Sequence, residues 1–591
     1  MLFSKKKQST QQSDEMDRDL SSDRAGEDTV NVDMSPLEAV ASRPDKYPKG
    51  IKLVLVLLSI YLAIFLVALD RTIIATALPK ITDHFQSFGD TGWYNAAFLL
   101  PSTALQLFFG RMYTFYSPKW IFLTLVFVFE IGSAVCGAAP SSLAFILGRA
   151  ISGIGAGGIF NGSMIIMMYA APLEKRPFYM GLLGAVFGVA SVAGPLLGGA
   201  FTTGVTWRWC FYINLPIGAC VLVFLFLVVE ETEPARGGLT LKEKLNNLDI
   251  PGTLVFVPCM VCLLLALQWG GQDYAWSSGR VVALLVVFGV LLIAFIAIQF
   301  WRQDNGTVPP RIAKQRTVAS AAWIAFCLGS TFLLVVYYLS IWFQAIKGDS
   351  AITSGYSTLP SLLSLVIASI LSGAFISRVG YYNPSIIACT ILMPIGTGLL
   401  CLFTPHTRHP MWIGSQFLFG FGTGLGLQQT NIAAQTALSK ADAPTGMPFV
   451  FFAQGLGGAI SVSVGQNILD SQLIKKLSTL GGISPHQVVS TGATQLRNIF
   501  PKQQLPGVIE VYNDSLVIVF YAALAYACAA LPGIFTLEWK TVKKPTNKDE
   551  EKQGPKEEEN TSELQEKSST STPEENRLAT PDVQQVKHSE A

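Results

Sequence analysis

The sequence predicts an all-α polytopic membrane protein with two six-helix bundles, a two-helix insert between them and fourteen transmembrane helices in total. Three observations carry that expectation. Hydrophobic residues make up 50 % of the 591-residue chain and charged residues only 14 %, against about 25 % charged in an average soluble protein. The mean hydropathy is +0.42. Between two polar tails, about fourteen apolar runs are each long enough to cross a bilayer core of ~30 Å.

Residues 1–46 are rich in Ser, Asp and Lys, with Phe3 as their only aromatic, and residues 541–591 hold no Phe, Tyr or Trp. Neither tail buries enough apolar surface to offset the entropy of ordering, so both read as disordered. No cleavable signal peptide is apparent, and the first span serves as the insertion signal. The expected spans are 52–77, 93–113, 119–139, 142–168, 178–202, 208–229, 249–268, 281–300, 318–344, 355–378, 384–404, 412–437, 444–468 and 514–537. Even-numbered connections carry about thirteen Lys and Arg, among them Arg111, Lys119, Arg311 and Arg378, and short odd-numbered ones about five. The positive-inside rule then makes the even connections and both tails cytoplasmic. The segment 469–513 becomes a long external loop, with an N-x-S sequon at Asn513.

An internal repeat sets the domain organisation. The fourth segment carries "GRAISGIGAGG" (148–158) and the twelfth "GFGTGLGLQQ" (420–429). The fifth carries "GVASVAGPLLGG" (188–199) and the thirteenth "GLGGAISVSVG" (455–465). The expected units are a bundle at 47–230, a linker with two extra spans at 231–316 and a second bundle at 317–540. Two equivalent halves around a site at the bilayer midplane is transporter architecture.

Several chemistries are excluded. The net charge of +2 comes with no basic face interleaved with aromatics, so nucleic acid is not expected as a partner. All nine cysteines lie in or beside apolar runs, and Cys259 and Cys262 form an isolated CxxC inside one of them, which reads as small apolar residues rather than a metal site. No Walker loop, HExxH or G-x-S-x-G pattern occurs, so neither an enzyme nor a cofactor or metal is expected. Energy for uphill transport must then come from an ion gradient or from another subunit.

Polar residues within apolar runs are costly and mark function. Asp70 and Arg71 sit side by side in the first segment. Adjacent helical residues point about 100° apart, so each needs a partner of its own or water. Arg149 stays charged in any protein environment. It faces a cavity or a partner, or else snorkels to the outer interface. Gly153 and Gly157 follow it at four-residue steps on nearly the same face. Glu130, near the middle of the third segment, reads either as a proton carrier or as a permanently neutral hydrogen-bond donor between helices.

The fifth segment sets Gly184, Gly188, Ser191, Gly198 and Gly199 close to one face, with Pro195 between them. Glycines admit a neighbouring backbone, and the proline frees the carbonyl of Ser191 and lets the helix bend. Both a pivot for rocking halves and simple close packing satisfy that pattern. Gln428, Gln429, Asn431 and Gln454 suit a cavity for an amphipathic solute. Gln344, Tyr337, Tyr338 and Trp342 extend it or, for the aromatics, form an interfacial belt.

These stretches resemble the fourteen-span drug:proton antiporters of the major facilitator superfamily, and within them the fungal multidrug and toxin efflux pumps. "LDRTIIATALP" (69–79) resembles their helix-1 signature, "GRAISGIGAGG" their helix-4 motif and "GVASVAGPLLGG" their helix-5 antiporter motif. "WRWCFYINLPIG" (207–218), "YYLSIWFQAIKG" (337–348) and "AQGLGGAISVSVGQNI" (453–468) are similar to the fungal branch. The resemblance covers about residues 50–540. It implies the major facilitator fold and alternating access, with protons entering as a solute leaves. Asp70 and Arg149 become candidates for coupling, Gly194 and Pro195 for the antiporter kink, and Arg71 for holding the outer region together.

One departure is informative. The family's loop after the second helix reads G-x-L-x-D-R-x-G-R/K, whereas "GRMYTFYSPK" (110–119) keeps Gly110 and a cation at Lys119 but has no aspartate. The second-half copy keeps Arg378 and Gly380, with Ser377 at the aspartate position.

The expected function is proton-coupled export of amphipathic small molecules such as drugs, toxins or fungal secondary metabolites, by a monomer in the plasma membrane or, alternatively, a vacuolar or vesicle membrane. An importer on the same fold, for example of an iron–siderophore complex, is the nearest alternative. A non-transporting receptor or scaffold working through the tails is the alternative of another class.

Overall fold

A computed structural model describes residues 47–87, 90–231, 240–271, 274–478 and 503–543. The expected disordered tails, apart from a few residues at their inner ends, lie outside the described residues, as do 479–502 of the expected external loop.

The chain folds as helices, and the only β-bridges among the described residues are the isolated pairs Gly270–Tyr274 and Tyr381–Thr541. The first bundle comprises α1 (Ile51–Phe85), α2 (Thr91–Ala104), α3 (Gln106–Phe115), α4 (Pro118–Ala138), α5 (Ser142–Ala170), α6 (Arg176–Gly204), α7 (Trp209–Tyr212) and α8 (Asn214–Val228). The insert holds α9 (Leu241–Asn247), α10 (Ile250–Trp269), α11 (Gly279–Arg302) and α12 (Pro310–Ala313). The second bundle comprises α13 (Arg316–Trp342), α14 (Ala351–Ser357), α15 (Leu359–Val379), α16 (Asn383–Leu400), α17 (His409–Gly426), α18 (Gln429–Ala437), α19 (Ala443–Leu477), α20 (Leu505–Ala529) and α21 (Leu531–Thr536).

Local chemistry sets the helix ends. Ser141, Asp249, Ser278 and Ser350 accept backbone N–H groups at the starts of α5, α10, α11 and α14, satisfying donors that a helix start leaves open. Thr240 and Glu243 form a reciprocal capping box on α9. Gly380 ends α15 at φ 98, a left-handed conformation that a side chain would strain.

The pairings of the first bundle recur in the second. α1 packs on α6 as α13 packs on α19, α4 on α5 as α16 on α17, α2 on α5 as α15 on α17, and α1 on α8 as α13 on α20. The bundles meet where α6 lies on α15 and where α3 lies on α19. α10 pairs with α11 and packs more extensively on α2 than on α19. α11 is the most apolar span and only 11 % of it is buried, so its surroundings are lipid.

Among the described residues, twelve helices are long and apolar enough to span a membrane. The expected second and twelfth spans are helical but interrupted, at Leu105 between α2 and α3 and at Leu427–Gln428 between α17 and α18. Other boundaries move as well. α1 continues through Pro79 to Phe85, eight residues past the expected end. α19 continues to Leu477 and α20 starts at Leu505, so both flanks of the expected 469–513 loop are helical. Lys, Asp and Gln at those ends lower the hydropathy without breaking the helix.

Candidate functional site

Asp70, on α1, is fully buried and forms an ion pair with Arg149 of α5, with Arg149 Nη1 2.5 Å from Asp70 Oδ2. Arg149 is 1 % exposed, which excludes the snorkelling alternative. Its Nε donates to the carbonyl of Tyr94 at 3.1 Å, and its guanidinium lies 4.4 Å from the centroid of the Phe98 ring. A buried charge pair survives only when its remaining valences are met, and α2 supplies these to Arg149. Arg71 turns instead to Ser102, whose Oγ accepts from Nη2 at 3.1 Å, and lies 5.5 Å from the Phe98 ring centroid. The neighbours therefore have separate partners, with Phe98 beside both cations. The other Asp70 oxygen, Oδ1, has no partner among the described residues.

The glycines of α5 and α6 place these groups. A Cβ at Gly153 would stand 3.0 Å from the Phe98 backbone carbon, and one at Gly157 would stand 2.5 Å from the Ser102 carbonyl oxygen. Only glycine lets α5 approach α2 so closely. A Cβ at Gly194 would stand 3.0 Å from the Ile73 nitrogen, and one at Gly198 would stand 2.9 Å from the Ile73 oxygen. These contacts lock α6 onto the turn of α1 that follows Asp70. Thr72 spans the same seam, donating to Ala190 O at 3.1 Å. α6 is continuous through Pro195.

Glu130 of α4 faces Gly218 of α8 and is 7 % exposed. Neither of its carboxyl oxygens has a partner among the described residues.

A second polar group lies in the second bundle, at the break between α17 and α18 and on α19. Gln428, Gln429 and Asn431 are buried at 4 %, 0 % and 0 % exposure. Gln428 Oε1, both amide ends of Gln429 and of Asn431, and Gln454 Oε1 have no partner among the described residues. Buried amides are normally satisfied, and these are not. Gln428 lies beside Gly184 of α6, its Cγ 3.8 Å from where a Cβ would be. One turn along α6, Phe187 meets Phe160 of α5 edge-on at 6.1 Å. Phe160 stacks on Phe451 of α19, with centroids 3.9 Å apart and planes at 16°. Gln454 follows Phe451 by three residues on that helix. The amides thus come from the second bundle, and the rings from both.

The end of the bundle that carries Arg111 and Arg176 is closed. A Cβ at Gly110 would stand 2.7 Å from Pro448 Cγ of α19, and one at Gly373 of α15 would stand 3.0 Å from Phe178 Cα of α6. Thr114 Oγ1 lies 3.4 Å from Thr445 Oγ1. Arg176 Nη1 reaches Gln435 Oε1 across the halves at 3.5 Å. Lys119 donates to Phe226 O at 2.8 Å within the first bundle. Arg378 is exposed, and its carbonyl accepts from Lys543.

Four of the residues singled out in the sequence, Asn513, Trp342, Tyr337 and Gln344, sit elsewhere than expected. Asn513 is 3 % exposed inside α20, accepting from Trp342 Nε1 at 2.9 Å and donating to Phe403 O at 3.1 Å. A glycan has no access to an amide committed on both sides, so this sequon is not a glycosylation site. Trp342 is fully buried and belongs to no interfacial belt. Tyr337 is 48 % exposed beside its buried neighbour Tyr338, and Gln344 Nε2 reaches Ser354 Oγ at 3.5 Å. Neither Tyr337 nor Gln344 is shown at the amide cluster. Sequence reasoning passed over Phe98, Ser102 and Tyr94, which complete the shell around both arginines, and the ring pair Phe160–Phe451. Their types are ordinary in an apolar helix, so only their contacts reveal them.

Residues 60–462 match the model of the Major Facilitator Superfamily. The MFS-type transporter VdtG of Byssochlamys spectabilis is 49 % identical over 500 residues, which cover 85 % of this chain and 90 % of that protein. An MFS-type efflux pump of Trichophyton rubrum is 51 % identical over 84 % of this chain and 92 % of that protein. The rubrofusarin-specific efflux pump aurT of Gibberella zeae is 49 % identical over 84 % and 91 %. Among solved structures, the human organic anion transporter MFSD10 superposes with a TM-score of 0.52 at 14 % identity, covering 81 % of this chain and 100 % of that one. The proton:xylose symporter XylE bound to 6-bromo-6-deoxy-D-glucose gives 0.51 at 14 %, covering 83 % and 97 %. The fold, the helix repeat and the near-complete coverage agree, and the chain belongs to the Major Facilitator Superfamily of membrane transporters.

Proposed function

We propose that this protein is a proton-coupled exporter of amphipathic small molecules, of the fungal toxin or secondary-metabolite kind, working by alternating access. The observation that carries this reading is the buried Asp70–Arg149 pair on the seam that Gly194 and Gly198 close between α1 and α6. A titratable carboxyl there, with one oxygen unpartnered, can exchange a proton when the cavity opens, and any change in its pairing moves a tightly packed helix. Glu130, also unpartnered and buried, serves as the second proton carrier.

The solute binds between the halves. Gln428, Gln429, Asn431 and Gln454 offer it donors and acceptors, and Phe160, Phe187 and Phe451 offer flat apolar surface. No ionised side chain is needed at that place, so the reading favours uncharged, aromatic, hydrogen-bonding solutes. Relatives at 46–51 % identity are named as efflux pumps, one of them rubrofusarin-specific, which supports the outward direction.

In this reading the protein is a monomer of fourteen spans, with α2/α3 and α17/α18 crossing as broken helices. The bundles occupy 47–230 and 317–540, with the insert at 231–316. The end carrying Arg111, both tails and the even connections face the cytoplasm, and the membrane is the plasma membrane. The closed Arg111 end then corresponds to a cytoplasm-closed state.

The test is flux of a fluorescent panel, neutral planar aromatics against charged analogues, in cells expressing the protein. Efflux of the neutral planar members that a protonophore abolishes supports the proposal. Accumulation in their place supports an importer, and flux of neither kind overturns a transport role for this panel chemistry.

A further inference from the structure

The Arg111 end of the bundle is tied together through the two-helix insert. Arg111, on α3 and 1 % exposed, donates through Nη2 to the carbonyls of Asn247 at 2.8 Å and Asp304 at 3.2 Å. Asp304 Oδ1 in turn accepts from Arg311 Nε at 3.2 Å. Arg311 places Nη1 and Nη2 on the two oxygens of Asp442, at 3.0 and 2.9 Å. Asp442 stands at the N-cap position of α19 in the second bundle, with no capping bond from its side chain, where the helix dipole favours a carboxylate. The Asp442 carboxylate, by hydrogen bonding, pushes the pKa of Arg311 above the usual arginine value.

The middle of this relay is rigid. Asp249 is fully buried and sits at φ 50, a left-handed conformation uncommon for a residue with a side chain. Its carboxylate accepts from Gly252 N at 3.1 Å, Gln299 Nε2 at 2.8 Å, Thr307 N at 2.7 Å and Thr307 Oγ1 at 2.8 Å. Those bonds fix the 303–308 turn to the starts and ends of α10 and α11, and with it Asp304. By contrast, Arg311 is 54 % exposed and the Asp442 side chain 10 %.

We propose that Arg111, Asp304, Arg311 and Asp442 form a latch through which the insert holds this end of the two halves closed, and that the latch parts at Arg311 in each cycle. Arg311 is the weak point, because its side chain is 54 % exposed, with Asp304 beside it at 60 %, and water competes for the cation. The Arg111 anchor is buried and stays made, so the insert travels with the first bundle. α10 packs more on α2 than on α19, in keeping with that division. The latch also accounts for the missing loop aspartate. Thr114 stands four residues after Gly110, where the resembling transporters carry the acid, and offers only a 3.4 Å contact to Thr445. The charge that ties the halves comes from the insert instead.

The test uses the full-length protein in nanodiscs, with the exposed Cys220 and Cys528 replaced by Ser. Spin labels go on Lys175 and Arg378, exposed residues flanking the α6–α15 contact at this end. Arg311→Ala and Asp442→Asn should each raise the ratio of long to short label distances about two- to fivefold, the range expected for an exposed pair. The swap Arg311→Asp with Asp442→Arg should restore the ratio, which a general loss of folding would not allow. Arg311→Lys should restore it only in part, since the ammonium cannot grip both oxygens. Unchanged distances in both single variants, or shifts that the swap leaves in place, would overturn the latch. This readout needs no solute, so it stands apart from the transport proposal. For a transported solute, the same variants should lower the apparent KM from the Arg111 side, because more of the protein is open to it.

Discussion

Gly198 and Gly199 are chain neighbours with opposite surroundings, and alanine at each should change the protein in opposite directions. A Cβ at Gly198 would stand 2.9 Å from the Ile73 carbonyl oxygen and 3.0 Å from Ile73 Cγ1, whereas one at Gly199 meets nothing within 4 Å. Backbone oxygen cannot swing aside, so α1 must retreat from α6 by about half an ångström, at a cost of about 1–3 kcal/mol for overpacking. Alanine recovers about 0.5–1 kcal/mol over glycine inside a helix. The net expectation is a loss of up to about 2.5 kcal/mol for Gly198→Ala and a gain of up to about 1 kcal/mol for Gly199→Ala. Ile73 lies three residues beyond Asp70, so the retreat also disturbs the ion pair and slows efflux. The assay is thermal unfolding of the purified protein together with efflux rate. Gly198→Ala should lower both, while Gly199→Ala should raise Tm and leave the rate unchanged. Equal behaviour of the two variants would refute close packing of α6 on α1 as the reason for the motif.

Other expectations follow from the same geometry. Glu130→Gln should leave thermal stability unchanged, since the carboxyl has no hydrogen-bond partner to lose, yet slow gradient-driven efflux at least about tenfold as expected for a lost proton carrier. Asn513→Ala should destabilise by about 1–3 kcal/mol through the unsatisfied Trp342 indole and should not change gel mobility, with deglycosylation equally without effect at this position. Phe451→Leu should reduce efflux of flat aromatic solutes more than that of non-planar ones, measured as a ratio of rates, because it removes one face of the Phe160–Phe451 stack.

The helices were legible because each apolar run is long enough to span a bilayer and lies between polar or basic connections. Their ends were not. Pro79 looks like a stop after "ATAL", but α1 runs past it, and the polar residues closing α19 look like loop. Asp70 and Arg149 were each legible as costly residues needing a partner. That they partner one another was not, since 79 residues separate them and only packing closes the distance. Gly153, Gly157 and Gly198 were legible as small residues on helix faces, and Gly194 through the resemblance, but their opposing surfaces on α2 and α1 were not. Arg111, Arg311 and the loops around them were read for their sign alone, as topology markers. Their partners, a carboxylate at the start of a helix and two loop carbonyls, lie more than a hundred residues away. Asn513 shows the reverse failure, a local motif that burial cancels.

The most direct test of coupling is efflux from sealed vesicles under an imposed pH gradient, comparing wild type with Asp70→Asn over the neutral aromatic panel. Wild-type efflux should follow the gradient and vanish with a protonophore, and the variant should show no gradient-driven component while still binding solute. An Asp70→Asn protein that pumps with undiminished gradient dependence would contradict the account.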